Sequence, residues 1–374
     1  MGKRTMYYGL DLLKLSMALL VAGRHMIQVF YGIDSKWRLL VGSWLSNLAV
    51  PVFFIIAGFL LFRKIPEAGA GRSWFWGQAE KEPKTRKKSE TGRSRKQNLT
   101  GSRILWNYVI RIVKLYVIWS VLYWPIDLYN WYHSTESFGV FVKNYVKSFF
   151  VSSSIAQLWY LPALALACLI VWGLSRIGLK VWQILIVTGM LFIAGCLGDN
   201  WFYTERMPMW FQEWIWWYAP KFVTMRNGVF YGSFYVSLGL YFSRKKWRLP
   251  FVVSVLGALA SAYLMYKEVK HCSITNMAFF ALPAAYCLVE GAMAVPFPDW
   301  KLFSRLRSVS EWVYFSHFYF FYLFSWNAPR LTEAGVPLPE INIALFIFVP
   351  MLLVSWCLVL LSERERGRWL RKLI

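Results

Sequence analysis

Four ionisable groups, Asp11, Lys14, Arg24 and His25, stand inside one apolar stretch, residues 8–30, that is long enough to cross a bilayer as a single helix. Ionisable side chains within a membrane span are costly to keep, so each is a functional candidate. Lys14 and His25 lie eleven positions apart. That is about three helical turns plus roughly 20°, which points both side chains the same way about 16 Å apart along the axis. A cation at one end of such a face can hold an anion, and an imidazole at the other can act as general base or nucleophile. Plainer readings stand beside these. Lys14 and Arg24 can snorkel to an interface, Asp11 can pair with Lys14 one turn on, and His25 can be a hydrogen-bonded packing residue. A second intramembrane histidine, His317, follows Tyr314 by three residues and so neighbours it on a helix surface.

The chain that must position these groups is 57% hydrophobic and 19% aromatic, with only 16% charged residues over 374 positions. That is the composition of a polytopic membrane protein, not of a soluble domain. A net charge of +23 could mean nucleic acid, but no soluble basic fold accompanies it, so nucleic acid is excluded as a partner. The five cysteines are isolated, without a CxxC or a His/Cys cluster, so neither a metal site nor a disulfide framework is expected. The first stretch is too long for a signal-peptide core and should persist as a helix.

Apolar runs predict an all-α fold of about ten membrane spans, at 8–30, 41–62, 104–125, 157–174, 181–198, 228–243, 249–266, 273–295, 309–326 and 341–361. Alternating the loops puts most Lys and Arg residues on the side that holds both termini, which makes the termini cytoplasmic in a multi-pass plasma or inner-membrane protein. Residues 1–374 then form a single transmembrane domain, and 64–103 is a basic cytoplasmic loop whose composition suggests disorder. Pro51 is expected to kink the second span and Gly58 to permit close helix contact. Arg111 and Lys114 add a basic feature to the third span, and with Lys14 they could hold a polyanion. Residues 127–156 read as an exposed outer loop, Trp159 and Tyr160 as interface residues, and the Trp-rich part of 199–227 as an amphipathic interfacial helix. Arg226 stands at the outer end of the sixth span, Glu290 looks for a neighbouring base, and Arg24 is expected to anchor at an interface.

Six stretches, in order, resemble the membrane acyltransferase family 3: GLDLLKLSMALLVAGRH (9–25), VPVFFIIAGFLLF (50–62), RIVKLYVIWSVLYWP (111–125), LWYLPAL (158–164), RNGVFYGSFYVSLG (226–239) and SVSEWVYFSH (308–317). The family's first-helix signature, a basic residue, ten positions and a histidine, falls on Lys14 and His25. Three positions depart from the family pattern: Lys14 stands where arginine is usual, Ala57 where Ser commonly precedes the glycine, and Gln157 where His commonly precedes Trp-Tyr-Leu.

The resemblance implies an integral membrane O-acyltransferase. It would carry an acyl group, in the simplest case acetyl, from cytoplasmic acyl-CoA as co-substrate to an extracytoplasmic glycan or other envelope acceptor. His25 and His317 are its expected catalytic residues. Lys14, Arg111, Lys114, Asp11, Trp159, Tyr160, Arg226 and Tyr314 are expected to bind substrate or donor. Direct transfer and an acyl-histidine intermediate both remain open. No fused esterase-like or racemase-like domain is expected after the last span. The bilayer is one partner, and a separate outer-face transferase is another if the chain is only an acyl conduit. A non-catalytic membrane sensor is the third reading.

Overall fold

The computed structural model describes residues 7–30, 35–65, 87–274, 276–298 and 300–374, the side chains of residues 29, 87–100 and 340 set aside. Among the described residues the chain is helical without strands: α1 Tyr8–Phe30, α2 Ala49–Phe62, α3 Lys87–Tyr132, α4 Phe138–Val151, α5 Tyr160–Arg176, α6 Val181–Gly198, α7 Trp201–Thr204, α8 Met209–Phe222, α9 Ser233–Arg244, α10 Phe251–Cys272, α11 Ala281–Ala294, α12 Lys301–Glu333 and α13 Glu340–Glu363. Among the described residues six stretches can cross a membrane by length and apolar composition, 38–62, 101–132, 138–176, 181–198, 251–272 and 341–363; the expected spans 8–30, 228–243, 273–295 and 309–326 are not among them. The expected ten are not all of this kind. The eighth, 273–295, shortens to the fourteen residues of α11.

The expected loop 127–156 is not a loop. α3 continues to Tyr132 and α4 occupies most of the remainder, its Phe138 and Phe150 exposed. The sequence hid this because Pro125 reads as a helix end, yet α3 passes through it. Of the basic stretch 64–103, residues 66–86 lie outside the described residues, and from Lys87 onward the chain is already part of α3. The Trp-rich segment does form a helix, α8.

Three packed pairs frame the centre: α2 against α9, α1 against α12, and α10 against α11. Glycine sets the first contact. A Cβ on Gly58 would stand 2.6 Å from the Val236 carbonyl oxygen, and one on Gly239 would stand 2.5 Å from that of Ile55. The two backbones therefore touch, and only a missing side chain allows it. Pro51 stands where the expected second span changes from irregular turns to regular α-helix. It lies in the first turn, where a missing N–H costs nothing, just after a π-helical turn, Arg38–Trp44, and a 3₁₀ turn, Leu45–Leu48. Those two turns carry the chain past α1 and leave Ser46 and Asn47 buried against it.

Candidate active site

α1 and α12 run together over their length, so residues on their facing sides meet at two levels. At the level of the first turns of α1, Asp11 is 4% exposed and accepts two hydrogen bonds from Arg307, from Nε and Nη2, both at 2.7 Å. This bidentate pair fixes one end of α1 to α12. Lys14 sits in the combined field of Glu311 and Asp11 on one sign and Arg307 and Arg111 on the other. It makes no hydrogen bond or ion pair to a described residue. Arg111 donates from Nη2 to the Ile374 carbonyl at 2.8 Å, beside Trp119 Nε1, which donates to the Leu373 carbonyl at 2.7 Å. Lys114, exposed like Arg111, is not among the charges acting on Lys14.

At the other level the histidines face each other. The rings of His25 and His317 stack with centroids 5.6 Å apart and planes 23° from parallel. His317 is fully buried, and its Nδ1 lies 3.0 Å from the Val313 carbonyl oxygen. A carbonyl only accepts, so Nδ1 carries the hydrogen and Nε2 presents a lone pair. That Nε2 is buried without a hydrogen-bond partner among the described residues. A lone pair withheld from every structural contact is what a proton acceptor needs. Phe318 packs against both rings, at 4.9 Å from His25 and 5.0 Å from His317.

His25 forms part of the wall of a cavity with about 30 Å³ of open volume. Its other polar lining comes from Arg24, Ser46, Asn47, Gln157, Arg226 and Asn276, and its aromatic lining from Trp159, Tyr160, Tyr231 and Tyr314. That volume holds about two waters, so a substrate must open it further. Tyr314 ties α12 to the segment before α5 by donating to the Gln157 carbonyl at 2.7 Å. Arg226 stacks over Trp159 with the guanidinium carbon 4.6 Å from the ring centroid.

Arg24 is not the interfacial anchor expected of it. It is 8% exposed and donates to Ser46 Oγ at 3.2 Å and to Asn276 Oδ1 at 3.0 Å. The physical reason is the pair of turns before α2, which put polar groups where an apolar helix would have offered none. Asp199, just beyond α6, accepts at Oδ1 from Thr224 Oγ1 at 2.5 Å and from the Met225 amide at 3.1 Å. Burial pushes its carboxyl up from the usual range, and those bonds together with nearby Arg226 pull it part of the way back.

The expected site residues thus divide. His25, Tyr314, Trp159, Tyr160 and Arg226 come together in the cavity wall, and His317 stacks on His25. Lys14, Asp11 and Arg111 gather at the opposite end of α1, and Lys114 joins neither group. Ser46, Asn47, Asn276 and Tyr231 were missed, because each comes from a turn or helix remote in sequence and carries no spacing signal. Only the Gln157 departure hinted at that wall. Glu290, away from both groups, has the base expected for it: it pairs with Lys245, both side chains buried, and Lys245 also donates to Tyr286 at 2.6 Å.

A family model described as an acyltransferase domain matches residues 7–360. The chain is also 22% identical to the serine/alanine racemase of Enterococcus gallinarum, across 97% of this chain and 47% of that protein. It is 21% identical to an amino-acid racemase of Enterococcus faecalis, across 77% of this chain and 36% of that protein. The chain therefore spans about half the length, or less, of these curated relatives. No solved structure matches it at a significant level.

Proposed function

The chain belongs to the membrane acyltransferase family 3, and from that premise we propose that it is an integral membrane O-acyltransferase. It moves an acyl group, acetyl in the simplest case, from cytoplasmic acyl-CoA to a hydroxyl of an extracytoplasmic acceptor such as a surface glycan or envelope component. The observation that carries the reading is the facing pair His25 and His317 at a polar cavity, with His317 Nε2 unengaged. Lys14 and Arg111, at the opposite end of α1, suit the phosphates of the donor. The excess of Lys and Arg on the side of both termini supports placing that end in the cytoplasm.

In the reaction a neutral imidazole takes the proton of the acceptor hydroxyl as its oxygen attacks the thioester carbonyl. A carbon–oxygen bond forms, the carbon–sulfur bond breaks, and the imidazolium returns the proton to the departing thiolate. An acyl-histidine intermediate would divide the same exchange into two displacements.

Transfer from labelled acetyl-CoA in membranes tests the reading, with wild type, His25→Ala and Lys14→Ala compared at equal membrane content. Loss of a positioned imidazole should lower transfer by about 10²- to 10⁴-fold. Lys14→Ala should weaken the use of donor more than it slows the saturated rate. Wild-type membranes that transfer nothing from several acyl donors, or a fully active His25→Ala, would sink the proposal.

A further inference from the structure

We propose that the cavity beside His25 is an anion receptor, and that the acceptor carries a carboxylate or phosphate beside the hydroxyl to be acylated. The proposal rests on the acyltransferase reading for the word acceptor, but the anion site stands on its own observations. Two guanidinium groups, those of Arg24 and Arg226, line one cavity whose open volume is about 30 Å³. Arg226 makes no ion pair and no side-chain hydrogen bond to a described residue, and its Nε is buried without a partner. The face of Trp159 lies against its guanidinium, which favours one orientation of the planar fork.

Two other cations, by contrast, have a carboxylate of their own. Lys245 has Glu290, and Arg307 has Asp11. Removing a cation from water without a contacting carboxylate is costly, so an arginine left in this condition is suited to an anion that arrives from outside. Asp199 lies near enough for its charge to act on Arg226, and its Oδ2 is itself buried without a partner among the described residues, but the two do not close into an ion pair. Its Oδ1 is spent on Thr224 and Met225.

The neutral groups of the same wall point the same way. Gln157 is 2% exposed, and both atoms of its amide are buried without partners. Asn47 is 3% exposed with its Oδ1 likewise unpaired. An amide that neither donates nor accepts within the protein is equipped to bond a ligand with both donors and acceptors. An anionic group seated on Arg226 and Arg24, with a hydroxyl nearby, would present that hydroxyl to His25. His25 follows Arg24 in sequence and lines the same cavity. An oxyanion is the shared chemistry, and a carboxylate or a phosphoryl group can supply it.

Thermal unfolding of the purified full chain in detergent tests the inference without any acyl donor. Sodium acetate and sodium phosphate serve as probes, against sodium chloride at equal ionic strength. Ligands that bind only the native state raise the midpoint by mass action. Acetate or phosphate should stabilise wild type beyond chloride, with the effective probe identifying a carboxylate or a phosphate receptor. The shift should vanish in Arg226→Gln and shrink in Arg226→Lys, which keeps the charge and loses the fork. If Arg226→Gln does not fold, Arg226→Lys carries the comparison. No shift beyond chloride, or an undiminished shift in the variants that fold, overturns the receptor.

Coenzyme A is the control for a donor site. Stabilisation by it that disappeared in Arg226→Gln would assign the arginines to the donor and overturn the acceptor assignment. The two proposals fail separately. Absent transfer with an intact anion shift removes the enzyme and keeps the receptor, and intact transfer without an anion shift does the reverse.

Discussion

At one end of α1, Asp11 closes on Arg307 through two bonds of 2.7 Å, and the carboxylate is used up. At the other end, eleven residues beyond Lys14, His25 borders a cavity whose wall includes Arg226 Nε, Asn47 Oδ1 and both amide atoms of Gln157, all unpaired, with His317 Nε2 unpaired against it. Both ends place polar groups inside an apolar protein, and both use the same two helices. At the first end Asp11 and Arg307 satisfy each other, as a structural joint does, while Lys14 beside them stays unpaired among the described residues. The second leaves the wall groups just named unsatisfied, which costs stability and is retained where a ligand completes the bonds. Asp11 is buried as deeply as the groups of the cavity wall, so for it pairing is what separates a brace from a site.

The largest effect that would break this comparison falls on His317. His317→Ala removes the unengaged Nε2, and acyl transfer in membranes should fall by about 10²- to 10⁴-fold, as for other positioned acid–base groups. Because His317 is also buried among the His25, Phe318 and Phe321 rings, protein level and detergent-extracted size must be matched to wild type, and His317→Gln serves as the less disruptive variant. A His317 variant that transfers at wild-type rate would make this histidine a packing residue and move the second end of α1 into the same class as the first.

Next in size is the brace. Asp11→Asn, Arg307→Gln and the double variant form a cycle read by thermal or denaturant unfolding. Hydrogen bonds to charged groups contribute about 1.5–3 kcal/mol, and each single change should cost an amount of this order. Arg307 is partly exposed, so the coupling between the two belongs at the lower end of that range. Single costs near zero would mean that Asp11 does not hold the helices, and would return it to the donor-binding role that its position beside Lys14 suggests.

How much of this could be read from the chain follows the same division. The face that joins Lys14 to His25 was legible, because one helix fixes spacing and direction at once. His317 and Tyr314 were legible for the same reason, and so was the contact at Gly58, where a glycine inside an apolar helix has few other uses. The partners of Arg24 were not. Ser46 and Asn276 lie far from Arg24 in sequence, and a π-helical turn that periodicity does not announce brings Ser46 into place. α4 was missed because Pro125 reads as a stop, although the helix runs through it. Periodicity describes what one element does by itself; pairing between elements is decided by turns, and turns carry the weaker signal.

The smallest effect is the most discriminating one. Gln157→Leu replaces an amide that has no partner with an apolar side chain of similar size, in the wall of the cavity. A buried polar group left unpaired costs about 1–3 kcal/mol, so its removal should leave stability unchanged or raise it by up to about 1 kcal/mol once the altered packing is counted. The same variant should raise the acceptor KM with little change in the saturated rate, the outcome expected of an amide that bonds the acceptor away from the reacting atoms. Loss of stability would show that Gln157 is satisfied in the membrane and belongs with Asp11. A gain in stability joined to a weaker hold on the acceptor would show a polar group kept at the expense of the fold, and that combination is what distinguishes a binding wall from a structural one.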